Sequence, residues 1–159
     1  METCIIKSPL GFIKITGDIK GITSITFLNS KTKKPTTIPS ILQNCATQLD
    51  EYFCGIRKTF TVKLNPEGTH FQKNIWENLE EIPFGNTMSY LELSKKIKNQ
   101  KAVRAVANAN GKNPILIIIP CHRIIGKNGH LTGYSAGLHH KKWLLEHESP
   151  SPQKTLFNF

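Results

Sequence analysis

A run of five aliphatic residues between two prolines constrains the fold of this chain more than any other feature. Residues 115–119 are all isoleucine or leucine, and a proline stands on either side of them. The run is far too short to cross a bilayer, so we expect it to be buried in a protein core. Pro120 ends the run and places Cys121 at the edge of that core. Because His122 and Arg123 follow at once, packing alone explains this cysteine poorly.

The position of Cys121 predicts a reactive thiol. A cysteine thiol is a poor nucleophile at its ordinary pKa of about 8.5, and cationic or hydrogen-bonding neighbours lower that pKa. His122 would act through a water molecule or a turn of backbone, and a basic imidazole needs an orienting partner that is usually a carboxylate. Glu148 is the candidate, since it shares one stripe of the last predicted helix with Leu138 and Leu145. A solvated helix end is the alternative interpretation of Glu148.

A long basic stretch surrounds this segment. The chain carries 21 lysines and arginines against 11 acidic residues, which gives a net charge of +10. No acidic residue occurs between Glu92 and Glu146. A phosphate-binding surface explains the missing carboxylates, because one carboxylate there would repel the ligand, although a solvated basic face is the alternative. The lysines and arginines of this stretch are Lys95, Lys96, Lys98, Lys101, Arg104, Lys112, Arg123, Lys127, Lys141 and Lys142.

The first part of the chain is predicted to form strands followed by a helix. The segments 11–16 and 21–27 are short and β-prone, with glycine and aspartate between them as in a hairpin. Apolar residues then recur at helical spacing over residues 41–53, and Gly55 follows as a C-cap. The alternation over residues 59–64 predicts one further strand. Together these elements indicate a small α/β domain.

The second part of the chain is predicted to be mainly helical. Capping-box spacing at residues 69–72 and again at residues 89–92 marks the start of two helices. A third helix is expected over residues 101–110 and a last one over residues 138–148. Two short helices joined by a short turn are typical of a helix-turn-helix. We therefore divide the chain into three parts: an α/β domain over 1–66, a mainly helical domain over 67–150, and a loose tail over 151–159.

The helix predicted over residues 101–110 has one basic and polar face. Val103 and Val106 lie opposite that face and would pack on the domain. A small alanine on the face lets a helix approach nucleic acid closely, and the long Arg104 could enter a base stack. An ordinary amphipathic surface helix is the alternative. At 100° per residue, the residues that share the basic face are Lys101, Arg104, Ala105, Asn108 and Lys112.

Several of these segments together resemble a known family. Pro120-Cys121-His122-Arg123, with Asn113-Pro114 and the aliphatic run before it, resembles the active-site signature of the O6-alkylguanine-DNA alkyltransferases, also called methylated-DNA–protein-cysteine methyltransferases. Further ordered matches include Arg104-Ala105-Val106-Ala107, Gly133-Tyr134-Ser135, Trp143-Leu144-Leu145 and His147-Glu148. The likeness covers residues 71–148, whereas the first part resembles the family only in outline. It implies an α+β fold, with a small ribonuclease-H-like α/β domain and a mainly helical domain that carries a winged-helix-like helix-turn-helix.

The resemblance implies direct-reversal DNA repair by a single-turnover methyltransferase. The family moves the alkyl group of O6-alkylguanine in DNA to a cysteine, here Cys121, irreversibly and without a cofactor. The damaged nucleotide leaves the base stack, since the reacting atom is out of reach inside a duplex. The helix-turn-helix binds the minor groove, and Arg104 fills the vacated space. Glu148, His122 and a water molecule would draw the proton from Cys121.

The resemblance also implies the remaining site roles. Tyr90 donates a proton or hydrogen bond as guanine leaves, and Asn113 holds the local turn. Tyr134 and Ser135 line the base pocket, and the backbones of Cys121 and Ile124 read the exocyclic amine of the base. The alternatives are a core aromatic for Tyr90 and turn residues for Tyr134 and Ser135. The full set expected to contact DNA is Lys101, Arg104, Ala105, Asn108, Lys112, Arg123, Ile124, Tyr134 and Ser135.

The expected partner is double-stranded DNA that contains O6-alkylguanine or O4-alkylthymine, bound by a monomer. We expect no cofactor and no metal, because Cys4 lacks the cysteine and histidine set that binds zinc in some members. The start of the chain lacks the pattern of a secretory signal, so we expect no membrane and a cytoplasmic location, or a nuclear one in a eukaryote. Lys112 departs from the family, in which glycine is common at that position.

Two other functions stay open at this point. A binding module could mark alkylated bases for another pathway, but the alkyltransferase-like proteins that do so carry tryptophan in place of the cysteine. Cys121 argues against that function. A cysteine hydrolase could use Cys121 and His122, although the aliphatic run and the basic helix give it little support.

Overall fold

The computed structural model describes residues 1–29 and 34–150, so the predicted tail over residues 151–159 lies outside the described part of the chain. The chain forms two compact units. The first unit comprises Met1–Glu67 together with Pro114–Leu116. The second unit comprises Gly68–Asn113 and, among the described residues, 117–150. Within the described ranges, no helix combines the length and the apolar character needed to span a membrane.

The first unit is built on a three-stranded antiparallel sheet in the order β1-β2-β3. Strand β1 (Glu2–Ser8) was not predicted, whereas β2 (Gly11–Asp18) and β3 (Gly21–Leu28) confirm the expected hairpin. Helix α1 (Ser40–Phe53) packs on β1 and β2, as its helical spacing indicated. The side chains between sheet and helix form an apolar core: Cys4, Ile13, Ile15, Ile25, Leu42, Cys45, Leu49 and Tyr52.

The prediction of a strand over residues 59–64 is wrong. Only Leu64 of that segment pairs, in an isolated parallel bridge to Ile22. The Ile22 amide donates to Lys63 O at 2.9 Å, and a Cβ on Gly21 would lie 2.7 Å from the same oxygen. The segment therefore touches the sheet at one point beside a glycine, and its alternating pattern comes from partly exposed side chains rather than from a ladder.

Up to residue 150, the second unit contains four α-helices and one very short parallel strand pair. The helices are α2 (His70–Glu80), α3 (Tyr90–Lys96), α4 (Val103–Gly111) and α5 (Leu138–Glu148), and the strands are β4 (Met88–Ser89) and β5 (Ile124–Ile125). Both predicted capping boxes are confirmed, since Thr69 Oγ1 accepts from Gln72 N and Ser89 Oγ accepts from Glu92 N. The mixed α+β fold class is therefore confirmed.

Helix α4 begins later than the sequence pattern predicted. Residues 100–102 form a 3-10 turn, and Lys98 before them takes the left-handed conformation with φ 61°. Gly111 is the last residue of the helix instead of the residue after it. The indole of Trp76 in α2 donates to Ala109 O at 2.9 Å and so supplies a partner for a carbonyl in the last turn of α4. Helices α3 and α4 pack against each other as a helix-turn-helix.

Candidate active site

Cys121 opens a short 3-10 helix, Cys121–Arg123, that follows the aliphatic run. Pro120 has φ −83° and ψ 61°, and the Cys121 amide donates to Ile119 O at 2.8 Å, which together make an inverse γ-turn. The side chain of Asn113 donates to the same oxygen at 2.7 Å. Cys121 is 2% exposed. Pro120 and Asn113 thus fix the turn of backbone that carries the buried thiol.

Burial dominates the acidity of this thiol. It raises the pKa of Cys121 to about 11, while a hydrogen bond with Asn113 and the charge of Lys141 act in the opposite direction. The sequence had suggested that cationic neighbours would set a low pKa, and the environment inside the fold outweighs them. The thiol therefore carries its proton at rest, and a base has to accept that proton when sulfur attacks.

His122 and Glu148 lie together in the interior of the second unit. His122 is fully buried, and its Nε2 is 2.8 Å from Glu148 Oε2. Arg123 binds the same carboxylate through two bonds, Nε to Oε1 at 2.7 Å and Nη2 to Oε2 at 3.1 Å. Burial alone would raise the pKa of Glu148, but His122 and Arg123 outweigh it and hold that pKa well below its ordinary value. Glu148 is therefore a buried anion.

The second ring nitrogen of His122, Nδ1, does not take part in the bond with Glu148. When Glu148 accepts a hydrogen bond from Nε2–H, the neutral imidazole has its lone pair on Nδ1. Among the described residues, Nδ1 is buried and has no hydrogen-bond partner. The buried hydroxyl of Tyr134 is also without a partner in this part of the chain. Burial raises the pKa of Tyr134 well above its ordinary value, and the Cys121 sulfur, once deprotonated, and the anion of Glu148 raise it further, so this hydroxyl remains a donor.

A buried lysine completes the site, and the sequence interpretation missed it. Lys141 is 0% exposed and donates to Ile124 O at 2.5 Å and to Thr132 O at 2.9 Å. Burial lowers its pKa to about 8. The hydroxyl of Tyr90 donates to the same Thr132 O at 3.1 Å. The burial of Lys141 could have been predicted, because Lys141 lies three residues after Leu138 on the same helix stripe that had suggested Glu148.

Arg123 was expected to contact DNA, and the structure contradicts that expectation. Its side chain is buried, and Nη1 donates to Ile82 O at 2.6 Å in addition to the two bonds with Glu148. A guanidinium with these internal partners does not face a phosphate. Lys141, also counted in the basic stretch, is buried too, so the basic surface is smaller than the sequence suggested.

The basic face of α4 is exposed as its spacing predicted. We use the term "basic face" for five residues that are all exposed: Lys101, Arg104, Ala105, Asn108 and Lys112. Val106 on the opposite side is fully buried. Ser135 is exposed, Tyr134 and Tyr90 are half-buried, and the side chain of Ile124 is buried. Arg104 is thus positioned on an open surface of the second unit.

A second missed residue lies on the buried side of α4. Asn110 is 2% exposed, and its Nδ2 lies 3.4 Å from Cys121 O. The polar side chain stands on the stripe of Val103 and Val106, where the sequence pattern predicted packing. Within residues 1–29 and 34–150, no group of three or more His, Cys, Asp or Glu side chains is placed to hold a metal ion.

Comparison with known proteins gives consistent matches over both units. A family model described as 6-O-methylguanine DNA methyltransferase, DNA binding domain, matches residues 70–150, and one described as 6-O-methylguanine DNA methyltransferase, ribonuclease-like domain, matches residues 3–66. The chain is 47% identical over 155 residues to the methylated-DNA–protein-cysteine methyltransferase of Methanosarcina acetivorans, covering 93% of this chain and 98% of that protein. It is 42% identical over 148 residues to the protein of the same name from Mycobacterium tuberculosis, covering 90% and 89%.

A solved structure agrees with the sequence relatives. The crystal structure of Mycobacterium tuberculosis OGT in complex with DNA superimposes with a TM-score of 0.85 at 39% identity. The match covers 99% of this chain and 100% of that chain.

Proposed function

The chain belongs to the 6-O-methylguanine DNA methyltransferase family, and we propose that Cys121 is the residue that receives the methyl group. Its activity is direct-reversal repair, in which methylated DNA transfers a methyl group to a cysteine of the protein. The observation that carries the proposal is a buried thiol whose neighbour in the sequence is a buried histidine, oriented by the buried carboxylate of Glu148.

The proton of Cys121 moves to His122 Nδ1 through a water molecule, because Nδ1 makes no hydrogen bond to the thiol within the described residues. Glu148 fixes the tautomer of His122 and stabilises the imidazolium that forms, and Arg123 keeps Glu148 ionised. The sulfur electron pair then forms a bond to the methyl carbon while the bond from that carbon to O6 breaks. The departing guanine takes up a proton, so it is restored as a neutral product.

Several groups around the thiol are suited to bind the damaged base. Tyr90 supplies a donor for the leaving guanine, and Asn113 holds the turn that presents sulfur. Tyr134 and Ser135 line the pocket. The carbonyls of Cys121 and Ile124 accept from the exocyclic amine of guanine, the latter held by Lys141.

The basic face of α4 binds the duplex. Residues 67–150 carry both DNA binding and methyl transfer, and residues 1–66 form a separate supporting domain. Extrusion of the nucleotide leaves a gap in the stack, and Arg104 fills it with a planar guanidinium. Lys101 and Lys112 contact phosphates, while Ala105 and Asn108 lie against the groove. DNA is the partner, and O6-alkylguanine is the lesion. The protein acts as a monomer in the compartment that holds the DNA, the cytoplasm or a nucleus.

The product is a thioether on Cys121, and no group of the site is suited to break a carbon–sulfur bond. Each protein molecule therefore repairs one base. The competing function is a module that binds alkylated bases and leaves them unchanged, which would show lesion affinity without repair.

Titration of the protein against duplex DNA with one O6-methylguanine tests the proposal. We expect repair to rise linearly and to stop at one base per protein molecule. Cys121→Ala should bind the lesion duplex and repair none of it, whereas Cys54→Ala, at an exposed cysteine of the first unit, should repair like the unchanged protein. Repair beyond one base per molecule, or repair by Cys121→Ala, would contradict the proposal.

A further inference from the structure

Asn110 occupies a position that packing alone would give to an apolar side chain. At 100° per residue it lies about 40° from Val106 around α4, opposite the centre of the basic face and about 120° from Arg104. Both Asn110 and Val106 are buried. A buried amide is unfavourable unless it is hydrogen-bonded, and among the described residues Asn110 Oδ1 has no partner. For the stability of the fold alone, an apolar side chain at this position would therefore be better than the amide of Asn110.

The one hydrogen bond of this amide within the described residues goes to the nucleophile. Asn110 Nδ2 donates to Cys121 O at 3.4 Å. Asn113 makes the matching contact on the other side, donating to Ile119 O at 2.7 Å. One amide in the last turn of α4 and one just after the helix therefore bind the carbonyls of Cys121 and Ile119.

The end of α4 that carries these amides is itself fixed. Trp76 is buried, and its indole donates to Ala109 O, the carbonyl next to Asn110 in the chain. Another side of the same helix presents Arg104 to solvent. The same helix therefore carries both the proposed DNA contact, through Arg104, and the hydrogen bond from Asn110 to Cys121 O.

We propose that Asn110 is a positioning residue that sets where Cys121 lies relative to the DNA-bound face of α4. The proposal rests on the proposed function, because it assumes that the basic face holds the duplex and that Cys121 accepts the methyl group. A base presented by DNA on α4 reaches sulfur only if the distance from α4 to sulfur is correct. A free base enters the pocket without being held by α4, so its reaction does not depend on that distance.

Asn110→Leu separates this role from a role in folding. Leucine suits the apolar stripe, and Cys121 O keeps its bond from Ile124 N, so no buried acceptor is left without a donor. We expect the thermal midpoint and the affinity for lesion duplex to stay near those of the unchanged protein. The limiting rate of methyl transfer in the duplex should fall by roughly 10- to 100-fold, as for a displacement of about 1 Å of a reacting group. The rate of the reaction of Cys121 with free O6-benzylguanine should fall by less than about threefold. The free base is not held by α4, so a changed distance from α4 to sulfur adds little to its activation barrier.

Val106→Ala is the matched structural control on the same buried stripe. It should lower the thermal midpoint and reduce both reactions by a similar factor, if at all. Asn110→Ala serves the same test in case leucine prevents folding. Equal losses on duplex and free base in the Asn110 variants, or an unchanged duplex rate, would overturn the positioning role. Failure of the unchanged protein to methylate Cys121 would instead overturn the proposed function, so the two failures are distinguishable.

Discussion

At the scale of single residues, the main feature of the site is the buried carboxylate of Glu148, bonded to the histidine proposed to accept the thiol proton. Glu148 is buried with two partners, and the pKa of its carboxyl is held well below the ordinary value. Breaking a buried pair by removing one partner is costly, because the other charge stays buried and uncompensated. Glu148 therefore affects both folding and transfer.

Glu148→Gln should abolish methyl transfer and lower the free energy of unfolding by about 3–5 kcal/mol, because it leaves Arg123 unpaired. Single-turnover repair and chemical denaturation measure the two effects. Glu146→Gln, two residues earlier in α5, is the control and should change neither strongly. Full transfer activity in Glu148→Gln would exclude the proton path proposed for His122.

The same carboxylate predicts a pH dependence of stability. Because the folded pKa lies below the unfolded value of about 4.3, its contribution is complete above that pH and declines as the pH falls below it. The thermal midpoint of the unchanged protein should therefore drop below about pH 4 more steeply than that of Glu148→Gln. Parallel curves for the two proteins would show that Glu148 is not held ionised by its partners.

Lys141→Met tests the buried lysine. Thr132 O would keep its bond from Tyr90, but Ile124 O would lose a charged donor, at a cost of about 1–3 kcal/mol. We expect slower transfer as well, because the carbonyl proposed to read the base would lose its support. Lys142→Met, at the next residue and half-buried, is the control. Equal rates for the two variants in single-turnover repair would remove Lys141 from the site.

At the scale of elements, sequence periodicity predicted best where a helix has one buried stripe. The capping boxes and the span of α5 were readable because caps and apolar spacing are local. The segment 59–64 was misjudged, since its one pairing is with a distant residue, Ile22. Strand β1 was overlooked although it pairs locally with β2. Lys141 and Asn110 were missed for a related reason: a polar residue on a buried stripe reveals its partner only in three dimensions.

Helix α4 carries the prediction that belongs to this scale. Arg104→Ala should slow repair in duplex DNA by at least about tenfold, because the extruded base would lose the side chain that replaces it in the stack. Reaction with free O6-benzylguanine should stay nearly unchanged, since no duplex is opened. Single-turnover rates on both substrates measure the difference. Equal losses on both would remove the stacking role.

At the scale of the whole molecule, the net charge of +10 attracts DNA before any base is read. Affinity for duplex should fall steeply with salt, with a slope of about −0.9 for each phosphate neutralised. Lys101→Gln should make that slope shallower by about one unit, whereas Lys14→Gln on the sheet of the first unit should not change it. Binding isotherms over a salt series measure both, and identical slopes would place the contact elsewhere.

The most direct test of the account is to locate the methyl group in the protein after reaction with O6-methylguanine duplex. Peptide mass spectrometry distinguishes the four cysteines, Cys4, Cys45, Cys54 and Cys121. The account predicts one methyl group on the peptide that contains Cys121 and none on the other three. Repaired DNA together with an unmodified Cys121, or a methyl group on another cysteine, would contradict it.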